Sequence, residues 1–150
     1  METFEETIVV DVPLKTAYNQ WTQFEEFPRF MESVESVTQQ SDRMLHWVAE
    51  VAGKREEWDA EIVDQRPDER VAWRSVGGKT NAGAVWFEPV TDTQTRVTLQ
   101  MGYEPDGIAE RVADAIGIVE RRVRGDLERF KRFIEARGVE TGAWRGEIDR

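Results

Sequence analysis

The sequence predicts an α+β domain: a curved antiparallel sheet of about seven strands around a long C-terminal helix, with two short helices after the first strand. Three observations predict it. Between residues 31 and 101, short runs of alternating apolar and polar residues recur with a turn every ten to fifteen residues, the pattern of antiparallel strands joined by tight turns. From Ile108 the apolar period changes to a single helical stripe that runs to Ile134. The length, 150 residues, suits one domain; a chain of this size buries roughly 70% of its unfolded surface.

The elements follow in order. Ile8, Val9, Val10 and Val12 form a β-branched run that reads as a strand, and Pro13 ends it. Pro suits the first turn of a helix, and Leu14, Ala17, Tyr18 and Trp21 follow at helical spacing. Phe24, Phe27 and Phe30 around Pro28 suggest a second short helix or turn. Leu45 to Val51 is strand-like. Glu57 to Val63 alternates, with Trp58, Ala60 and Ile62 on one face and Glu57, Asp59 and Glu61 on the other. Val71 to Ser75, Gly83 to Phe87 and the Val97, Leu99, Met101 series complete the sheet. Turns fall at Gln39 to Asp42, at Gly53, at Arg66-Pro67-Asp68-Glu69 and at Asp92, with a flexible loop at Gly77 to Asn81.

The helix begins after Pro105-Asp106-Gly107 and stops near Gly138. Some thirty residues at 1.5 Å rise make it roughly 45 Å long. A helix that long with one apolar stripe must lie across something wide, and the sheet is the available surface. Gly117 and Gly125 stand inside it, each costing about 1 kcal/mol against Ala; they allow a bend or a close approach. A curved sheet wrapped around such a helix leaves interior space, the origin of an apolar cavity in a small domain. The domain is expected to span residues 1–138, followed by a polar tail at 139–150 whose Trp144 is disordered with it, docked back, or an anchor for a partner.

Thirty acids against twenty bases give a net charge of −10, which argues against a general nucleic-acid binder. The acidity lies in the first two-thirds; residues 106–138 hold eight bases and seven acids. The chain has no Cys and one His, His46, which excludes disulfides, thiolate chemistry and a His-rich metal site; no metal or cofactor is expected. The N-terminal stretch lacks the basic and apolar regions of a signal peptide, and no apolar run of about 18 residues exists. The expected location is the cytoplasm, with at most peripheral membrane contact.

Several stretches together resemble the SRPBCC superfamily, which includes START domains and birch-pollen-allergen-like proteins. They are Ile8-Val9-Val10-Asp11-Val12-Pro13 leading into Ala17-Tyr18 and Trp21, then Phe24-Glu25-Glu26-Phe27-Pro28-Arg29-Phe30-Met31 with Val34 and Val37. Trp73-Arg74-Ser75, Gly83 to Pro89, and the final helix with Leu127 and Phe130-Lys131 complete the resemblance, from Thr3 to Gly138. It is most similar to the bacterial polyketide cyclase/dehydrase and coenzyme-Q-binding START-type branch. The resemblance implies a helix-grip fold with a pocket between sheet and helix. It also implies a hydrophobic ligand such as a lipid, quinone or polyketide, and transfers no catalytic motif.

Alternation assigns the candidate cavity residues. Trp47, Trp58 and Trp73 fall on inward faces, and Ser75 shares the face of Trp73. Val85 and Phe87 are assigned inward with Gly83, which permits close packing under the helix. Leu99 from the last strand, and Ala115, Ile116 and Val119 from the helix, complete the set. Large aromatics are ordinary core residues, so the plain alternative is a filled core. Trp86 faces out, where a homodimer or membrane contact could use it.

Acid–base chemistry would turn first to His46, but alternation places it on the outer face with Val48 and Glu50. Glu57 and Asp59 are read as solvated, opposite the apolar face. Gly77-Gly78-Lys79-Thr80 resembles a phosphate loop, but Trp73 stands where the motif needs Gly; it reads instead as a flap near the pocket mouth. Arg121, Arg122 and Arg124 form a basic cluster on the helix, ordinarily a solvated face. The sequence thus points to binding or carriage of a small hydrophobic ligand. A cyclase or dehydratase of the same fold is the alternative, with Ser75, Arg74 or His46 as its polar groups.

Overall fold

A computed structural model describes residues 2–51, 53–77, 81–103 and 109–149. The strands are β1 (Glu2–Val10), β2 (Val34–Gln39), β3 (Met44–Val51), β4 (Lys54–Arg66), β5 (Arg70–Val76), β6 (Asn81–Thr91) and β7 (Gln94–Tyr103). Helix α1 (Leu14–Trp21) and a 3-10 helix at Phe24–Arg29 follow β1, and α2 (Ala109–Arg137) follows β7. The strands form one antiparallel sheet in the order β1-β7-β6-β5-β4-β3-β2, curled into a half-barrel around α2. This is the helix-grip arrangement. The start proposed for α2, Pro105-Asp106-Gly107, lies outside the described residues, as do Gly78, Lys79 and Thr80 of the expected flap.

Alternation sorts the strands into an inner and an outer face. On the inner face Val10, Ile62, Val71, Val85 and Val97 are fully buried. A bulge in β4 between Ile62 and Asp64 resets the pattern. Without it Asp64 would enter the core. With it Asp64 faces out and pairs with Arg70 at 2.5 Å, and Gln65 turns inward instead.

The two ends of the half-barrel differ. One end is closed by α1, whose Tyr18 and Trp21 meet Phe87 edge-on at 5.4 and 6.3 Å. Trp21 also packs on Phe130 of α2 at 5.2 Å. The other face of α1, Asn19 and Gln20, is buried by residues 140–145. The Gln20 amide exchanges two hydrogen bonds with Thr141, and Arg145 reaches Asn19 and Asp68. The segment ends with buried Ile148 paired to Gln65 through two backbone hydrogen bonds of 2.8 and 2.9 Å. Residues 140–148 therefore strap the closed end.

Helix α2 is moored to both edges of the sheet. At the β1 edge, Lys131 donates to the Val9 carbonyl, the Glu135 carboxylate accepts from the Asp11 N–H, and Arg124 pairs with Glu6 at 2.9 Å. On the β2 side, Arg129 donates to the Phe30 carbonyl at 3.0 Å. Its guanidinium also faces Glu32 at 3.3 Å and Asp126 at 2.5 Å. Burial pushes the Asp126 carboxyl above its usual range despite that partner. Between the moorings Leu127, Phe130 and Ile134 fill the core.

Candidate functional site

The open end holds the ends of β3, β5 and β7 and the start of α2, and there the inner face changes character. Trp47, Trp58, Trp73 and Ser75 all stand on it, half-buried, where the closed half is sealed. Trp47 and Trp58 face each other across the β3–β4 ladder and stack, 5.9 Å between centroids and 6° between planes. The Trp47 indole N–H is buried and meets no acceptor among the described residues; a buried donor left so costs about 1–3 kcal/mol unless a partner arrives.

Trp73 lies flat across β6. A Cβ on Gly83 would stand 2.5 Å from its ring and 2.9 Å from the Met101 sulfur. Gly83 therefore makes room for an indole of the neighbouring strand, not for the helix. Ser75 accepts a hydrogen bond from the Asn81 N–H at 2.9 Å, which braces the β5–β6 connection.

The other candidates are placed as follows. Val85, Phe87 and Leu99 are buried, with Phe87 against Tyr18 and Trp21 at the closed end. Val119 is half-buried on α2. Ala115 and Ile116 lie in the α2 turns whose side chains fall outside the described residues.

Three residues of the open end were not among the cavity candidates the sequence named. Met101 packs beside Trp73 on the inner face. Glu56 takes an inner register two residues before Trp58, and Asn81 two before Gly83. Extending the same alternation by one step would have found all three.

The groups considered for acid–base chemistry point mostly away. His46 is on the outer face, clasped between Asp59 at 2.8 Å and Glu57 at 3.1 Å. Those hydrogen bonds, Asp59 first, raise its pKa above 6.5. Arg74 is also outside, paired with Glu61 at 2.8 Å. Trp86 faces out into a shallow trough of about 930 Å3 floored by Ala72, Ala82, Ala84 and Gly102. Among the described residues no helix is long and apolar enough to cross a membrane.

Comparison with known proteins agrees with this architecture. Residues 10–132 match the family described as polyketide cyclase/dehydrase and lipid transport. An uncharacterized 17.2 kDa protein of Streptomyces lincolnensis is 55% identical over 149 residues, 99% of each chain. The Zhui aromatase/cyclase of a Streptomyces species superposes with a TM-score of 0.78 over 95% of this chain and 99% of its own, at 15% identity. A START superfamily protein of Mycobacterium smegmatis does so with a TM-score of 0.75 over 88% of this chain and 98% of its own, at 10% identity. At these identities the structural likeness is one of fold.

Proposed function

The chain belongs to the polyketide cyclase/dehydrase and lipid transport family, and on that premise we propose that it binds and carries a small hydrophobic ligand between α2 and the tryptophan wall of β3, β4 and β5. One observation carries the reading. The inner face is sealed by buried side chains at the closed end and left half-covered at Trp47, Trp58 and Trp73. Large aromatic surface left open inside a half-barrel is costly in water and is relieved by an apolar occupant. The Trp47 N–H, which meets no acceptor among the described residues, suits a ligand carbonyl or hydroxyl. A lipid, quinone or polyketide would offer both features, and the cytoplasm is the expected setting.

Carriage is favoured over acid–base catalysis because His46 and Arg74 are engaged on the outer face. Ser75 and Glu56 at the wall favour a second reading, a cyclase or dehydratase that acts mainly by shaping its substrate. Native mass spectrometry of gently purified protein, with organic extraction, tests the first reading. A retained apolar species of defined mass is expected. A clean unliganded mass, together with turnover of a polyketide-type substrate that Glu56→Gln abolishes, would favour the second.

A further inference from the structure

The two glycines inside α2 leave space, and the structure shows what fills it. Gly117, Arg121, Gly125 and Arg129 follow at four-residue spacing, so they share one face of the helix. The Arg121 guanidinium folds back to 3.7 Å from where a Cβ on Gly117 would stand, and that of Arg129 to 3.1 Å from the Gly125 position. Each arginine lies down along the helix over the glycine one turn before it.

This face borders a cleft of about 510 Å3, with Arg122 beside it and Glu32, Ser33, Glu50 and Gly53 on the facing wall. The cleft borders the end of the β2–β3 ladder. Ser33 and Glu50 are the chain neighbours of Val34 and Ala49, which pair on the β2–β3 ladder and pack on the inner side. Its charges are unequally committed. Arg129 is held by Asp126 and Glu32. Arg121 and Arg122 form no hydrogen bond or ion pair with a described residue, although Arg122 is near enough to Asp126 to favour its charged form. With Glu32 held by Arg129, two guanidiniums without an ion pair among the described residues stand against the single carboxylate of Glu50 in this cleft, which in a chain of net charge −10 makes a local site for negative charge.

We infer that this cleft receives an oxyanion, such as a carboxylate, sulfonate or phosphate, at the polar end of a ligand whose apolar body lies on Trp47, Trp58 and Trp73. The inference rests on the hydrophobic-ligand reading and narrows it: the ligand is an anionic amphiphile. Gly125 serves it by letting the Arg129 guanidinium lie flat along the helix.

Two fluorescent probes of similar shape test it on the full chain. 1-Anilinonaphthalene-8-sulfonate carries the anion, and N-phenyl-1-naphthylamine lacks it. The wild type is expected to bind the sulfonate about tenfold more tightly, with the preference shrinking as salt is added. The double variant Arg121→Gln, Arg122→Gln should abolish the preference and leave the neutral probe's affinity unchanged. No preference in the wild type, or one that survives in the variant, overturns the anionic cleft and leaves the cavity reading standing. Failure of both probes to bind overturns the cavity reading, and the anionic cleft with it. Inorganic sulfate separates the sources of anion. Sulfate equimolar with the probe leaves the sulfonate probe bound if the cleft reads the head of an amphiphile; displacement assigns it to a free anion and overturns the inference.

Discussion

Trp47 and Trp58 stand directly opposite each other in the β3–β4 ladder with their indole planes 6° from parallel. Two adjacent strands thus present a stacked pair of indoles, half-buried, on the inner side of the sheet.

Trp58→Ala removes one ring of that stacked pair. Affinity for the neutral naphthylamine probe is expected to fall about tenfold. Trp21→Ala, by contrast, removes a ring only 2% exposed and should cost about 3–5 kcal/mol of stability. Probe titrations and urea unfolding of both variants check this. A Trp58 variant that loses stability yet keeps full probe affinity would place the ligand elsewhere.

The single His makes the outer-face cluster directly measurable by NMR. The Asp59 and Glu57 hydrogen bonds raise the pKa of His46 from 6.5. A raised pKa in the folded state means that the stabilising contribution is complete below about pH 6.5 and fades as pH climbs through the folded value. Asp59→Asn should bring the midpoint down. An imidazole resonance titrating at or below 6.5 in the wild type would contradict the clasp.

The strap over the closed end should contribute to stability. Ile148→Ala removes a buried side chain from the Gln65 pairing and should cost about 2–5 kcal/mol. Truncation after Gly138 should cost more, because Asn19 and Gln20 also lose their partners. Chemical denaturation gives both values. Midpoints matching the wild type would show that residues 139–150 contribute nothing.

Two glycine-to-alanine changes should have opposite signs. At Gly117 a Cβ meets nothing closer than 3.7 Å, so Ala should stabilise by up to about 1 kcal/mol. At Gly83 a Cβ would stand 2.5 Å from the Trp73 ring, so the indole must shift and stability must fall. Thermal melts of the pair decide it, and a stabilising Gly83→Ala would mean that Trp73 is free to move.

The fold was legible wherever one residue's environment repeats at a fixed period. The alternation around Trp58 assigned the faces of β4, and the stripe through Leu127 and Phe130 set out α2 to within a residue or two. Periodicity is blind to the rest. Glu6 lies in an inner register because Arg124, more than a hundred residues later, meets it at the edge of the sheet. The strap depends on Gln20 finding Thr141, a pairing that no local pattern announces. The tryptophan wall was legible as a face, but its partial exposure depends on what the helix covers. The arginines of α2 read as a solvated surface because their relation to the two glycines is a matter of side-chain conformation.

The strand order has a consequence for how the chain is made. Of the seven strands β1 is made before the others, yet its neighbour in the sheet is β7, the last of them. At about 5–20 residues per second the first strand waits on the order of 5–20 s for a partner. Throughout that delay Ile8, Val9 and Val10 are an unpaired β-branched segment on a nascent chain, a ready substrate for a chaperone or for a misplaced strand. Since β7 and then α2 must both emerge before that edge is covered, the half-barrel cannot be completed until all of its elements have been made.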